Sequence, residues 1–93
     1  MAYLVNILAI KKELSARVRS RRKEGKLSQS ALAVKSGVSL GSVKRFERTG
    51  EISLSALLRI AVVLGYENDF ERLFARKNYQ SLDEIISERI NEK

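Results

Sequence analysis

The sequence predicts an all-α fold, a compact bundle of five helices followed by a short C-terminal helix. Three observations carry that expectation. Proline is absent from all 93 residues. Apolar residues recur at helical rather than alternating spacing through most of the chain. Turn signals fall at Gly25, Ser36-Gly37, Thr49-Gly50 and Gly65, and the helix-capping residues Ser28, Ser39 and Ser53 stand between them.

The first helix is expected from about Asn6 to Glu24, with Ile7, Ile10, Leu14 and Val18 as its buried stripe. Arg21, Arg22 and Lys23 fall in its last turn, where cations complement the helix dipole, and Gly25 stops it. The apolar start, Met1–Ile10, is too short to span a bilayer. Its positive charges, Lys11 and Lys12, follow the apolar run instead of preceding it as they would in a secretory leader, so it reads as packing surface. A second, short helix opens at the Ser28 cap, buries Leu32 and Ala33, and ends near Ser36-Gly37. A third runs from the Ser39 cap to about Arg48.

The fourth helix, capped by Ser53 and stopped by Gly65, carries two apolar stripes: Leu54, Leu57, Leu58 and Ala61, then Ile60, Val63 and Leu64. A helix apolar on most sides is central or lies at an interface. A fifth helix over about Glu67–Phe74 places Tyr66, Phe70, Leu73 and Phe74 on one side. After a linker, Ala75–Gln80, the capping box Ser81-Leu82-Asp83-Glu84 opens an amphipathic helix lined by Leu82, Ile85, Ile86 and Ile90. The resulting organisation is an N-terminal extension and start of helix one over 1–13, a helical domain over 14–74, and a linker with a C-terminal helix over 75–93.

Composition narrows the function. There is no Cys and no His, which removes thiolate and imidazole ligands for a structural metal and the commonest nucleophile and general base. No phosphate-binding glycine loop or metal-ligand cluster occurs, so neither an enzyme nor a cofactor is expected. The net charge is +7, and it is uneven. Residues 1–50 hold 12 Lys/Arg against 3 Asp/Glu, whereas residues 51–93 hold 6 against 8. A localised cationic half suits a polyanion, although a solvated helix surface has the same composition.

The stretch Gln29–Glu47 separates these readings. Two short helices joined by a three-residue glycine turn have helix-turn-helix geometry, with small Ala33 where the helices cross and Val38 and Val43 locking the pair. On a helix from Ser39 to Arg48, Val43 and Phe46 face one side, and Gly41, Lys44, Arg45 and Arg48 the other. An apolar back and a front of Gly, Lys and Arg suit the major groove of double-stranded DNA. Arg45 is expected to read a guanine edge, Lys44 a base or a phosphate, and Leu40 a thymine methyl. Gly41 would allow close approach, and Ser39 and Ser42 would make weaker contacts. Ser28, at a helix N-terminus, is a candidate for the phosphate backbone together with Lys26, Arg19, Lys23, Ser42 and Arg48. Glu47 and Arg22 instead lie on apolar stripes. They are expected to form a structural ion pair, with Arg21 as the alternative partner, because either charge buried alone costs several kcal/mol.

Leu27-Ser-Gln-Ser-Ala-Leu-Ala-Val-Lys-Ser-Gly-Val-Ser39, followed by Val43, Phe46-Glu47 and Gly50, resembles the lambda-repressor-like (Cro/CI, Xre) family over about Leu14–Leu64. That resemblance implies a five-helix bundle whose third helix reads DNA, a phosphate contact at Gln29, and binding as a homodimer to a two-fold site. The candidate dimer interface is Ile60, Val63, Leu64, Phe70, Leu73 and Phe74. The sequence departs from the family in having no Asn or Gln on the outer face of the third helix. A basic head with an acidic amphipathic tail is also similar in layout to small antitoxins paired with HipA-type kinase toxins, which would add a toxin partner. A repressor or such an antitoxin would reside in the cytoplasm with the nucleoid. A protein-interaction adaptor without DNA affinity and a membrane-surface protein are the remaining alternatives.

Overall fold

A computed structural model describes residues 2–77, with side chains from Val5 onward. Five helices follow in order: α1 (Ala2–Glu24), α2 (Gln29–Ser36), α3 (Leu40–Thr49), α4 (Leu54–Leu64) and α5 (Glu67–Glu71). Three of them begin in the same way. Ser28, Ser39 and Ser53 have extended backbones, and each hydroxyl oxygen accepts from the N–H three residues on, at 3.0, 3.1 and 3.1 Å. These bonds satisfy amides that a helix start leaves without partners, each worth about 1 kcal/mol.

Gly50 shows why the chain needs glycine at the end of α3. Its φ is 80°, and a Cβ there would stand 2.7 Å from Lys11 Cβ and 2.9 Å from the Lys11 carbonyl oxygen. The end of α3 therefore touches the backbone of α1 directly. The core cluster is Leu32, Ala33, Val38, Val43 and Ile60, with Val18, Leu27, Leu40 and Ile52 packed around it. Phe46, Leu57 and Ala61 are buried as well. Helix α3 packs on α1 and α2, α4 packs on α2, and α5 packs on α4.

Several details differ from the sequence reading. Helix α1 begins at Ala2 instead of Asn6, and among the described residues its outer portion stays exposed: Val5, Ile7, Leu8 and Ile10 are 64, 44, 55 and 62% exposed. The helix is longer than the body it lies on, which it reaches at Lys11. The side of α1 facing that body carries Ser15, Val18 and Arg22, so its stripe is partly polar, and hydrophobic periodicity does not mark Ser15. On α4, Leu57, Ile60 and Ala61 face inward whereas Leu54 and Leu58 are exposed, so the buried stripe combines parts of the two anticipated ones. Ile60 is 0% exposed and cannot contribute to a dimer surface.

Helix α5 ends at Glu71, short of Phe74. It has no side-chain cap and no buried residue, and a single turn without such anchors does not propagate. Turns follow, and Phe74 has a φ of 63° and is 95% exposed. The capping box at Ser81 and the helix expected after it lie outside the described residues.

Candidate nucleic-acid interface

Helices α2 and α3 are joined by Gly37, Val38 and Ser39. Gly37 takes the left-handed conformation, φ 73°, and donates its N–H to the Ala33 carbonyl at 3.0 Å. Val38 then donates to the Ser36 hydroxyl at 3.2 Å and buries its side chain. The reversal is thus held by backbone geometry on one side and core packing on the other, which fixes where α3 starts.

Helix α3 is sharply two-faced. Val43 and Phe46 are 0 and 1% exposed, while Gly41, Lys44, Arg45 and Arg48 are exposed to solvent. No atom lies within 4 Å of a Cβ built on Gly41, so its surroundings are open. Ser39 and Ser42 are exposed, with a hydrogen bond of 2.8 Å between their hydroxyls. At the far end Thr49 Oγ1 donates to the Arg45 carbonyl at 2.7 Å and accepts from the Glu51 N–H at 3.1 Å, closing the last turn. Leu40 departs from its expected place among the base-reading residues: it is half-buried and packs against the core cluster. The first turn of a helix seated on a core gives its apolar side chain to that core.

Behind the exposed face lies an ion pair. Arg22 Nε donates to Glu47 Oε2 at 2.7 Å and Nη2 donates to Oε1 at 2.9 Å, a two-pronged contact between side chains only 8 and 5% exposed. Arg22 Nη1 also donates to the Leu27 carbonyl at 2.8 Å. Arg21, the alternative partner, instead pairs with Glu24 at 2.6 Å. Burial raises the Glu47 carboxyl, but the hydrogen bonds from Arg22 and Gln29, with the charges of Arg22 and Arg19, outweigh it and hold the group below its ordinary value.

Gln29 was expected on the DNA backbone, but its amide is turned inward, where Nε2 donates to Glu47 Oε1 at 3.1 Å. A carboxylate oxygen already facing a guanidinium is a strong acceptor, and the half-buried amide completes its shell. Ser28 is exposed with its hydroxyl serving the α2 cap, and Arg19, Lys23 and Lys26 are exposed around it in sequence. Lys26 adopts a left-handed φ of 57° in the turn before α2.

One exposed cation beside this face is absent from the sequence candidates. Arg59 is exposed and lines a shallow cleft with Ser39, Ser42, Ser53 and Ser55, where α3 and α4 both begin. It lies in a helix otherwise almost wholly apolar, so nothing in the linear pattern marked it. Proximity of the two helix starts is a tertiary fact.

Among the described residues no helix is long and apolar enough to cross a membrane. A scan against protein-family models matches the Helix-turn-helix family HTH_3 over residues 18–68, more than half of the chain. No curated protein and no solved structure matches. The matched span contains the α2–turn–α3 unit, its cationic face and the Arg22–Glu47 joint. The chain belongs to the lambda-repressor-like helix-turn-helix family of DNA-binding transcription regulators.

Proposed function

We propose that the protein is a sequence-specific repressor that binds a two-fold operator as a dimer, with α3 in the major groove. The observation that carries this reading is the division of α3 between the buried Val43 and Phe46 and the exposed Gly41, Lys44, Arg45 and Arg48. Arg45 offers the forked donors that match a guanine edge, a contact worth about 1–3 kcal/mol of discrimination. Lys44 reads a second base or a phosphate. Ser39 and Ser42 add weaker contacts, and open space at Gly41 lets the helix backbone come close to the bases. Ser28, Lys26, Arg48, Arg19 and Lys23 supply phosphate contacts, joined by Arg59 near the start of α3. With Gln29 occupied by Glu47, its role is to orient the joint behind α3, and any phosphate contact uses its remaining amide atoms.

One such unit reads few bases, and a two-fold pair doubles the number. Without Ile60, the dimer surface reduces to Val63, Leu64, Phe70, Leu73 and Phe74. The exposure of Leu73 and Phe74, at 55 and 95%, supports a contact there. Such a regulator acts in the cytoplasm, at the nucleoid.

Selection of bound duplexes from a random pool, followed by titration across salt, tests the proposal. The expected result is two related half-sites about one helical turn apart, with affinity falling by orders of magnitude from low to moderate salt. Arg45→Ala is expected to relax preference at one position per half-site. A uniform loss over all sequences would reassign Arg45 to phosphate. Affinity indifferent to salt would favour an interaction adaptor.

The basic head and the acidic residues Asp83, Glu84 and Glu88 also suit an antitoxin that represses its own operon and binds a kinase-like toxin. Co-purification with such a protein encoded beside it tests that role, and its failure leaves the repressor reading standing.

A further inference from the structure

The contact of α1 with the end of α3 also bears on Arg45. Lys11 is seated by its backbone and Cβ against Gly50, the C-cap of α3. From there its ammonium reaches the next residue along, and Nζ donates to Glu51 Oε1 at 2.6 Å. Arg45 belongs to the same turn. Thr49 Oγ1 donates to the Arg45 carbonyl at 2.7 Å and accepts from the Glu51 N–H at 3.1 Å, so one hydroxyl joins the two backbones. The Glu51 carboxyl is held below its ordinary value chiefly by the hydrogen bond and charge of Lys11, and the charge of Arg45 adds in the same direction. Among the described residues the ion pair goes to Lys11, and none engages Arg45. We propose that Lys11 is a positioning residue for sequence reading: by holding the Glu51 carboxylate against α1, it leaves the Arg45 guanidinium free to meet a base.

The inference rests on the DNA-reading role proposed for α3, and it adds a residue from outside α2 and α3. A carboxylate accepts the guanidinium fork in two parallel hydrogen bonds, using the same donors that match a guanine edge. A carboxylate near Arg45 is therefore a rival of the base. Lys11 settles that competition before DNA arrives. Its main chain is already fixed at Gly50, so only the side chain must be ordered for the ammonium to hold Glu51. The side chains of Lys11 and Glu51 are 37 and 46% exposed, so the pair contributes little to stability. Its effect falls instead on which partner Arg45 finds. The rival role for Lys11, one more phosphate contact, acts equally on every sequence and does not depend on Glu51.

Two measurements on the full chain test the proposal, each made on Lys11→Met, Glu51→Gln and the double variant. Lys11→Met removes the ammonium but keeps the Cβ and backbone that meet Gly50. In the free protein, the Arg45 Nε–H resonance is followed by nitrogen NMR. Lys11→Met is expected to shift it as Glu51 turns to the guanidinium, and adding Glu51→Gln to return it to its parent position. With DNA, dissociation constants are compared for a selected duplex and for one altered at the position whose preference Arg45→Ala relaxes. Lys11→Met is expected to lower that preference about threefold to fivefold, the double variant to regain it, and Glu51→Gln alone to keep it. An unmoved resonance, an unchanged preference, or a loss of affinity equal on both duplexes and not restored by Glu51→Gln would each overturn the proposal while leaving Arg45 a base reader. A parent chain that prefers no duplex would overturn the DNA reading as well.

Discussion

The two halves of α1 invert the usual rule of inside and outside. From Lys11 onward the helix lies on the bundle, yet the residues it buries include Ser15 and Arg22, at 4 and 7% exposure. Before Lys11 it is mostly apolar, yet Val5, Ile7, Leu8 and Ile10 stay in solvent. Hydrophobic spacing tells which side of a helix prefers to be covered. Whether there is a body to cover it depends on where the other helices stop. Polar groups enter the inner half because specific partners meet them: Ser15 donates to the Lys12 carbonyl at 3.0 Å, and Arg22 meets Glu47 and the Leu27 carbonyl.

The contrast is broken most severely at Arg22. Arg22→Ala leaves Glu47 buried and uncompensated, and is expected to lower unfolding free energy by about 3–5 kcal/mol in urea titration. A loss below 1 kcal/mol would mean that the pair is solvated and the inner half is not special. Next is Gly50→Ala, which sets a methyl group against Lys11 in a backbone conformation unfavourable to alanine. It is expected to cost about 2 kcal/mol by the same measurement.

Acid probes the same joint. Because the folded Glu47 carboxyl is held below the ordinary value of 4.5, the unfolded chain takes up its proton first as pH falls. The stabilisation is therefore complete above about that pH and is lost as pH falls through the folded value. Glu51, held down by its hydrogen bond from Lys11, adds in the same direction but stands in solvent, where salt weakens it. Urea midpoints at pH 7 and pH 3 are expected to differ less in Glu47→Gln than in the parent chain. The smallest effect is expected from Leu8→Gln in the outer half, within about 0.5 kcal/mol of the parent because the side chain leaves water little on folding. A large loss there would reveal that this end is covered, by another part of the chain or by a second copy.

These contrasts show what the sequence carried and what it did not. The starts of α2, α3 and α4 were legible because serine capping is local chemistry. The Arg22–Glu47 joint was legible because two charges on apolar stripes require each other. Ser15 was silent, since a buried serine resembles an exposed one in a linear pattern. The choice between Leu54, Leu58 and Ile60 on α4 needed the position of α2 and α1, and the inward turn of Gln29 needed Glu47 beside it. On α3, exposure of Lys44, Arg45 and Arg48 followed from periodicity alone, whereas the withdrawal of Leu40 toward the core did not.

Arg22, Leu27, Gln29 and Glu47 tie α1, the turn before α2, α2 itself and α3 together at a single point, one residue from Phe46. The tilt of α3 is thereby set during folding, before any partner is met. For the DNA recognition proposed above, α3 is then a key already cut: little ordering remains to oppose association, and discrimination would fall on small misfits in angle as well as on which side chains are presented.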